Sequence, residues 1–303
     1  MSRDRPLRYP PLFIVGPPRC GTTLLGQVVC SALDVAYIPN LAIRLRHTWQ
    51  PEPPVVFLAW LARRLGYTDQ AEAFQSHYGS TRGRGSSADN DFIWRLILPA
   101  EPMGHGSVTP TQRRFLRRVT AGVESVFERP YVEKCVGHAI RVRALLDVFP
   151  NALWVRCCRE PLAVAQSVWL GRTRNRQEAV WVVPKVAGWK ELLARPLVEQ
   201  AATQQWLFSQ ALDEGLAEVP ADRRLEVHYE DVCRNPQGQV ERIAALMAGH
   251  GAPAQTRCTL PARFHNDRTR RVPSEIYEQL LTHVERVWGR PVELLREPEA
   301  QAP

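Results

Sequence analysis

Gly16 and Gly21 bracket a short loop in "LFIVGPPRCGTTLL", Leu12 to Leu25, between an apolar run and a run of helical spacing. Glycines so placed let the backbone wrap tightly, so that successive N–H groups at a helix start converge on one point and favour an anion there. Arg19, Cys20, Gly21, Thr22, Thr23 and Leu24 would line that point, the two threonines adding hydroxyl donors. The spacing matches Gly-x-x-x-x-Gly-Lys-Ser/Thr, a phosphate-cradling loop, but Thr22 stands at the lysine position and the nearest cation, Arg19, lies inside the loop. A second group sits in "RCCREPLAVAQSVW". Arg159 ends a strand-like run, and Ser167 follows eight residues later, about two helical turns on. A strand-end arginine offers a planar fork suited to phosphate, and a serine facing the same crevice adds a hydrogen bond. Taken by itself, this second segment reads more readily as a surface arginine and a helix-packing serine.

These residues need a scaffold that brings strand ends to one edge. "LFIV" reads as a strand, and Leu24, Leu25, Val28, Val29 and Ala32 fall on one face of the helix after the loop. "PYVEKCV" (130–136) is a short strand leading into a helix with Val142, Leu145, Leu146 and Phe149 inward, ended by Pro150-Asn151. "ALWVRCCR" (152–159) is nearly continuously apolar, as in a sheet covered on both faces. Glu160-Pro161 opens the next helix. A long helix is expected from about Pro196 to Glu218, a strand at "RLEVHYED" (224–231), and a helix after Asn235-Pro236 with Val240, Ile243, Ala244 and Met247 inward. Strands alternating with helices imply a parallel sheet with right-handed crossovers. The expected fold class is α/β: a central parallel sheet flanked by helices, a three-layer sandwich like that of P-loop NTPases, in one domain over 1–303. Residues 37–120 are rich in proline and glycine and read as a mostly helical, substrate-facing insertion of short helices and loops; 297–303 read as a loose tail.

Composition narrows the partners. Hydrophobic content of 45% and charged content of 23% are ordinary for a soluble globular chain, and no apolar run approaches the ~18 residues that span a bilayer. The start, "MSRDRPLRYPP", lacks the apolar core of a secretory signal, so cytoplasmic residence and no membrane partner are expected. Seven cysteines without a C-x-x-C pair read as reduced, mostly buried thiols rather than a disulfide framework or a zinc site. The net charge of +8 invites a nucleic-acid reading, but runs such as "RRFLRRV" (113–119) and "RTRR" (268–271) are short and lack an aromatic stacking platform. No nucleic-acid partner is expected, and oligomeric state is left open. Only Lys134, Lys185 and Lys190 are lysines among 39 basic residues, which draws attention to each.

Three segments in order, "FIVGPPRCGTTLL", "VEKCVGHAIRVRALLDVFPNALWVRCCREPLAVAQSVW" and "LEVHYEDVCRNPQGQVERIAALM", together resemble the PAPS-dependent sulfotransferase family, where PAPS is 3′-phosphoadenosine 5′-phosphosulfate. The resemblance covers 12–34, 130–170 and 224–248. It implies that Arg19 to Leu24 hold the 5′-phosphosulfate, that Arg159 and Ser167 hold the 3′-phosphate, and that Tyr229 lies by the nucleotide. It also implies a basic C-terminal loop over the nucleotide, for which "FHNDRTRR" (264–271) is the candidate. A loop without the lysine then makes sense, because the 5′ end carries one phosphate and one sulfuryl group rather than a polyphosphate with its metal. The expected chemistry is in-line sulfuryl transfer to an acceptor hydroxyl, with no metal and with PAP (3′,5′-adenosine bisphosphate) as product.

Such transfer needs donors for developing charge and a base for the acceptor proton. Lys134 in "VEKCVGH" matches a lysine that relatives place beside the transferring group; the plainer reading is a helix-capping lysine or one paired with Glu133. Some relatives have a glutamate five residues before a tryptophan, after a "YG-x-T" stretch. In "YGSTRGRGSSADNDFIW" this chain has Asp89 there, making it the expected base, with Asp91 next and His47 also open. Asn40, where other branches carry an acid after "YIP", accepts no proton at neutral pH. Trp49, Phe57, Trp60, Tyr67, Phe74 and Trp94 of the insertion suit either an apolar small-molecule acceptor (a natural-product alcohol, phenol or sugar) or a core. A P-loop kinase or NTPase, or a non-catalytic nucleotide- or RNA-binding module, is the competing reading; Glu160, after Arg159, is the nearest match to a metal-binding acid.

Overall fold

The computed structural model describes residues 6–45, 55–69, 74, 76–77, 80–87, 94, 97–181 and 183–297. Its centre is a parallel sheet in the order β4–β1–β5–β6, formed by β1 (Leu12–Val15), β4 (Val132–Lys134), β5 (Leu153–Cys158) and β6 (Arg224–His228). Ile14 lies opposite Lys134 on one side and Val155 on the other, and Phe13 opposite Glu133 and Trp154. Side chains alternate across a strand, so each face collects its own core. Phe13, Val15 and Trp154 pack on Leu145, Phe149, Phe208 and Leu212, from α5 (Val142–Val148), the turn after it and α8 (Leu197–Leu216). Leu12, Ile14 and Val155 pack on Leu25, Val28, Val240 and Ile243, from α1 (Thr22–Ala32) and α10 (Pro236–Gly249). This is the three-layer α/β sandwich expected. β1 is fully buried, which explains its lack of polar residues.

Further helices surround this unit: α2 (Asn40–Leu45), α3 (Val55–Arg64), α4 (Pro110–Phe127), α6 (Pro161–Arg174), α7 (Trp189–Leu193), α9 (Tyr229–Arg234) and α11 (Ser274–Trp288). β2 (Ser76–His77) pairs antiparallel with β3 (Ser80–Thr81) in the insertion. Two expectations change. The strand expected over 224–231 stops at His228, and Tyr229 opens α9, whose first turn carries Glu230 and Asp231, charges that favour a helix N-terminus. The insertion ends not in a short helix but in α4, started by a reciprocal cap in which Gln112 N donates to Thr109 Oγ1 (3.3 Å) and Thr109 N to Gln112 Oε1 (2.9 Å), with Pro110 at the first turn. The tail from 298 lies outside the described residues, and among those described no helix is long and apolar enough to cross a membrane.

The segment leading into α4 is tied to the sandwich by a surface clamp. His105 Nδ1 lies 2.7 Å from Asp147 Oδ1 and its Nε2 2.5 Å from Glu218 Oε2. These bonds, that to Glu218 first, raise the His105 pKa; Glu218 is held low by His105 and Arg143, and at Asp147 the upward push of burial is outweighed by His105 and Gly106 N. The histidine contribution is full below its ordinary pKa and is lost as pH rises through the raised value. The carboxylate contributions are full above the ordinary carboxylate range and are lost as pH falls through the depressed values. His105→Gln should therefore lower Tm at about pH 6 by on the order of 1–3 °C, as befits exposed pairs, and leave it near the parent value at about pH 9. Thermal melts across that range check this; a pH-independent loss would make His105 a packing residue only.

Candidate active site

The loop after β1 is shaped by what approaches it. Gly21 has φ 97°, and a Cβ there would lie 2.1 Å from Cδ2 of Tyr229, so only glycine lets that ring rest on the loop. At Gly16 a Cβ would lie 2.6 Å from both the Cys157 carbonyl and Cys20 Sγ, which fixes the loop close against β5. Arg19 also adopts a left-handed φ of 70°, uncommon for a side-chain-bearing residue. Cys157 Sγ donates to Cys20 O at 3.3 Å; the neighbouring Cys20 thiol and burial hold the Cys157 thiol well above the usual pKa, hence protonated. α1 begins at Thr22 with no side-chain cap and no acid in its first turn, which leaves its leading N–H groups to an incoming anion.

Two more segments converge on this turn. Arg19 Nε donates to Ser167 Oγ at 3.1 Å, and Arg159 Nη1 donates to Arg19 O at 3.3 Å. The Arg159 guanidinium lies over the Tyr229 ring, 4.3 Å from its centroid, while Gln205 Nε2 holds the Arg159 carbonyl at 2.9 Å. Arg159 Nε is buried without a hydrogen-bond partner. Arg19 to Leu24, Arg159, Ser167 and Tyr229 thus form one group. The Glu160 carboxylate accepts from Glu293 N at 3.2 Å, an engagement with the C-terminal segment that counts against a metal-binding role at the loop.

Gln166 is a member of this region that sequence reasoning misses. It is 5% exposed, donates to Thr269 O at 3.0 Å and accepts from Arg271 N at 2.7 Å, pinning "FHNDRTRR" to α6 beside Ser167. Its only sequence signal is adjacency to Ser167.

Lys134 ends β4 on the side of α1. It is 6% exposed, and a Cβ at Gly26 would lie 3.2 Å from its Cβ and Cγ, so its stem crosses α1 one turn past the loop. Glu133 faces the other core, where it accepts from Trp94 Nε1 (2.9 Å) and from the Tyr131 hydroxyl. Asn40 is an organiser. Its Nδ2 donates to Thr81 O (2.9 Å), Thr81 Oγ1 (2.6 Å) and Gly83 O (3.0 Å), clamping the loop that leads toward Asp89. Asp89, Asp91, His47 and Trp49 lie outside the described residues. Of the aromatic residues proposed for an acceptor, Trp94 is fully buried core, Phe74 packs on Phe264 at 5.0 Å, Tyr67 accepts from Arg84 at 2.6 Å, and Phe57 and Trp60 are exposed.

The strand ends of a parallel sheet thus bring together a glycine loop, an arginine fork and an uncapped helix N-terminus in an α/β protein. Residues 10–248 match the sequence profile of the sulfotransferase family, and the chain belongs to that family. It is 24% identical over 260 residues to the omega-hydroxy-beta-dihydromenaquinone-9 sulfotransferase Stf3 of Mycobacterium bovis, and equally to that of Mycobacterium tuberculosis, covering 77% of this chain and 61% of those proteins. The chain therefore spans about three fifths of the length of these curated relatives. Among solved structures, the sulfotransferase STF1 of Mycobacterium tuberculosis is similar at 18% identity and a TM-score of 0.48, covering 79% of this chain and 67% of that one. STF9 of Mycobacterium avium is similar at 18% identity and a TM-score of 0.47, covering 93% of this chain and 69% of that one.

Proposed function

We propose that the protein binds PAPS and transfers its sulfuryl group to a hydroxyl of a small-molecule acceptor, in line and without a metal. The observation that carries this reading is the meeting of Arg19, Arg159 and Ser167 at one uncapped helix N-terminus, linked at 3.1 and 3.3 Å. The residues present fit the nucleotide. Arg159 offers a buried, unpartnered N–H, and Gly21 lets the Tyr229 ring lie against the loop beside it. Arg19, Cys20, Gly21, Thr22, Thr23 and Leu24 would hold the 5′-phosphosulfate, Arg159 and Ser167 the 3′-phosphate, and Tyr229 the side of the nucleotide. PAPS, when bound, supplies a sulfuryl group activated by its phosphate leaving group. The N–H groups of α1 hold the anionic oxygens there, and the Lys134 ammonium stabilises charge that grows as the bond breaks. Asp89 takes the acceptor proton, with Asp91 and His47 as the alternatives. We place the reaction in the cytoplasm, a setting in keeping with seven cysteines that are all free thiols.

Calorimetry tests the binding half. PAP should bind in the micromolar range, about −8 kcal/mol, with the same affinity in EDTA, because the donors are N–H groups and arginines. Tight ATP binding that requires Mg²⁺, with none for PAP, would overturn the reading. The base has its own test: Asp89→Asn should remove the acid limb of the pH–rate profile and spare PAP affinity. A near-normal Asp89→Asn beside an inactive His47→Ala would pass the role to His47.

A further inference from the structure

α3 and α4 pack side by side on the insertion, and their outward faces carry side chains that a soluble surface ordinarily hides. Phe57 (42% exposed) and Trp60 (47%) stack on each other at 5.7 Å and 26°, Leu65 follows just beyond α3, and Phe115 on α4 is 45% exposed. Six large apolar side chains are exposed among the described residues, and these four are most of them. Their arrangement follows from helical geometry. Phe57, Trp60 and Arg64 stand at i, i+3 and i+7 on one face of α3, and Phe115, Arg118 and Gly122 form a similar stripe on α4. The stripes border one seam: at Gly122, a Cβ would lie 2.6 Å from Val56 Cγ2 of α3.

The charge on this face has one sign. α3 carries Arg63 and Arg64, and on α4 Arg114 and Arg118 flank Phe115, while Arg113 and Arg117, two residues to either side of it, lie on the opposite side of the helix. The single carboxylate on either helix, Glu124, is 6% exposed and is engaged by Arg8 N at 2.8 Å and by Tyr9 N. Arg63 donates to the Val126 carbonyl beside this face, a partner that fixes the guanidinium without cancelling its charge, while Arg113 and Arg117 donate to the carbonyls of Asp147 and Val148 on the sandwich side. Paired aromatic rings that enter the headgroup region, ringed by arginines that reach phosphates, are what an anionic bilayer surface recognises.

We propose that the α3–α4 face docks the protein peripherally on an anionic lipid bilayer. The lack of a spanning segment does not oppose this, because interfacial docking needs only a helix face. The inference is independent of the transfer reading.

The test is co-sedimentation of the full chain with vesicles of phosphatidylcholine containing phosphatidylglycerol, against vesicles of phosphatidylcholine alone. The mixed vesicles should bind at least about tenfold more tightly, and binding should fall as salt is raised. Phe57→Ser with Trp60→Ser should cut the partition about tenfold or more, and Arg64→Glu with Arg118→Glu should abolish the preference for anionic lipid. An unchanged melting temperature and far-ultraviolet circular dichroism spectrum in both variants show that the fold is intact. No binding to the mixed vesicles, or parent binding that is insensitive to salt and headgroup, overturns the proposal without recourse to any variant. So does a dimer in sedimentation equilibrium that Trp60→Ser dissolves, since the face would then be occupied by a second copy of the chain.

Discussion

Arg159→Ala should weaken PAP binding by about 2–5 kcal/mol, the cost of leaving one side of a desolvated charged pair unmet. Binding of adenosine 5′-phosphosulfate, which lacks the 3′-phosphate, should change far less. The contrast is needed because Arg159 also has scaffold contacts: its Nη1 holds the Arg19 carbonyl, and its guanidinium covers the Tyr229 ring that rests on Gly21. If those contacts were its whole role, the loop would loosen and both nucleotides would lose affinity together. Arg159→Lys separates the parts further, because a lysine keeps the charge but not the planar fork or the stack. It should recover only part of the PAP affinity. Equal losses for PAP and adenosine 5′-phosphosulfate would reassign Arg159 to structure.

Lys134→Met should lower kcat and kcat/KM together by on the order of 10²–10³-fold while leaving PAP affinity in place. Methionine keeps the apolar stem that lies against Gly26, so the substitution removes charge and little packing. Single-turnover transfer from PAPS, measured beside PAP affinity and Tm, decides the matter. A variant that unfolds, or that loses PAP binding in step with rate, makes Lys134 a scaffold or nucleotide-binding residue.

The loop and the strand-end arginine are legible in the sequence because each depends on local rules. Glycine spacing, an apolar run and a proline at a helix start say where a strand must give way to a helix. The order of the sheet does not depend on local rules: nothing in "VEKCV" or "ALWVRCC" says that both border β1 rather than each other. Tyr229 shows the limit at an element boundary. Glu230 and Asp231 are equally at home at a wet strand end or in a first helical turn, and the contact of Tyr229 with Gly21 is invisible until the fold is known. Asn40 is readable as a residue that cannot take a proton, but its work as a three-way donor depends on Thr81 and Gly83 arriving beside it. α11 is left unassigned by sequence although Tyr277, Leu280 and Val284 have helical spacing, because basic loop character dominates the stretch before it.

The meeting of Arg19 with Arg159 and Ser167 joins positions 140 and 148 residues apart. All the strands behind it pair in parallel, so no tight hairpin shortens the path to any of these contacts. Closing such long loops costs chain entropy before the pairing returns anything, which places the chain among topologies that fold slowly. Arg159 and Ser167 therefore reach Arg19 only once β5 has paired with β1. A nucleotide bound as proposed would then find its full set of partners only after the sheet has closed. On the proposed reading it would act afterwards, by holding the completed native state, so that PAP binding would report on the finished sheet as a whole.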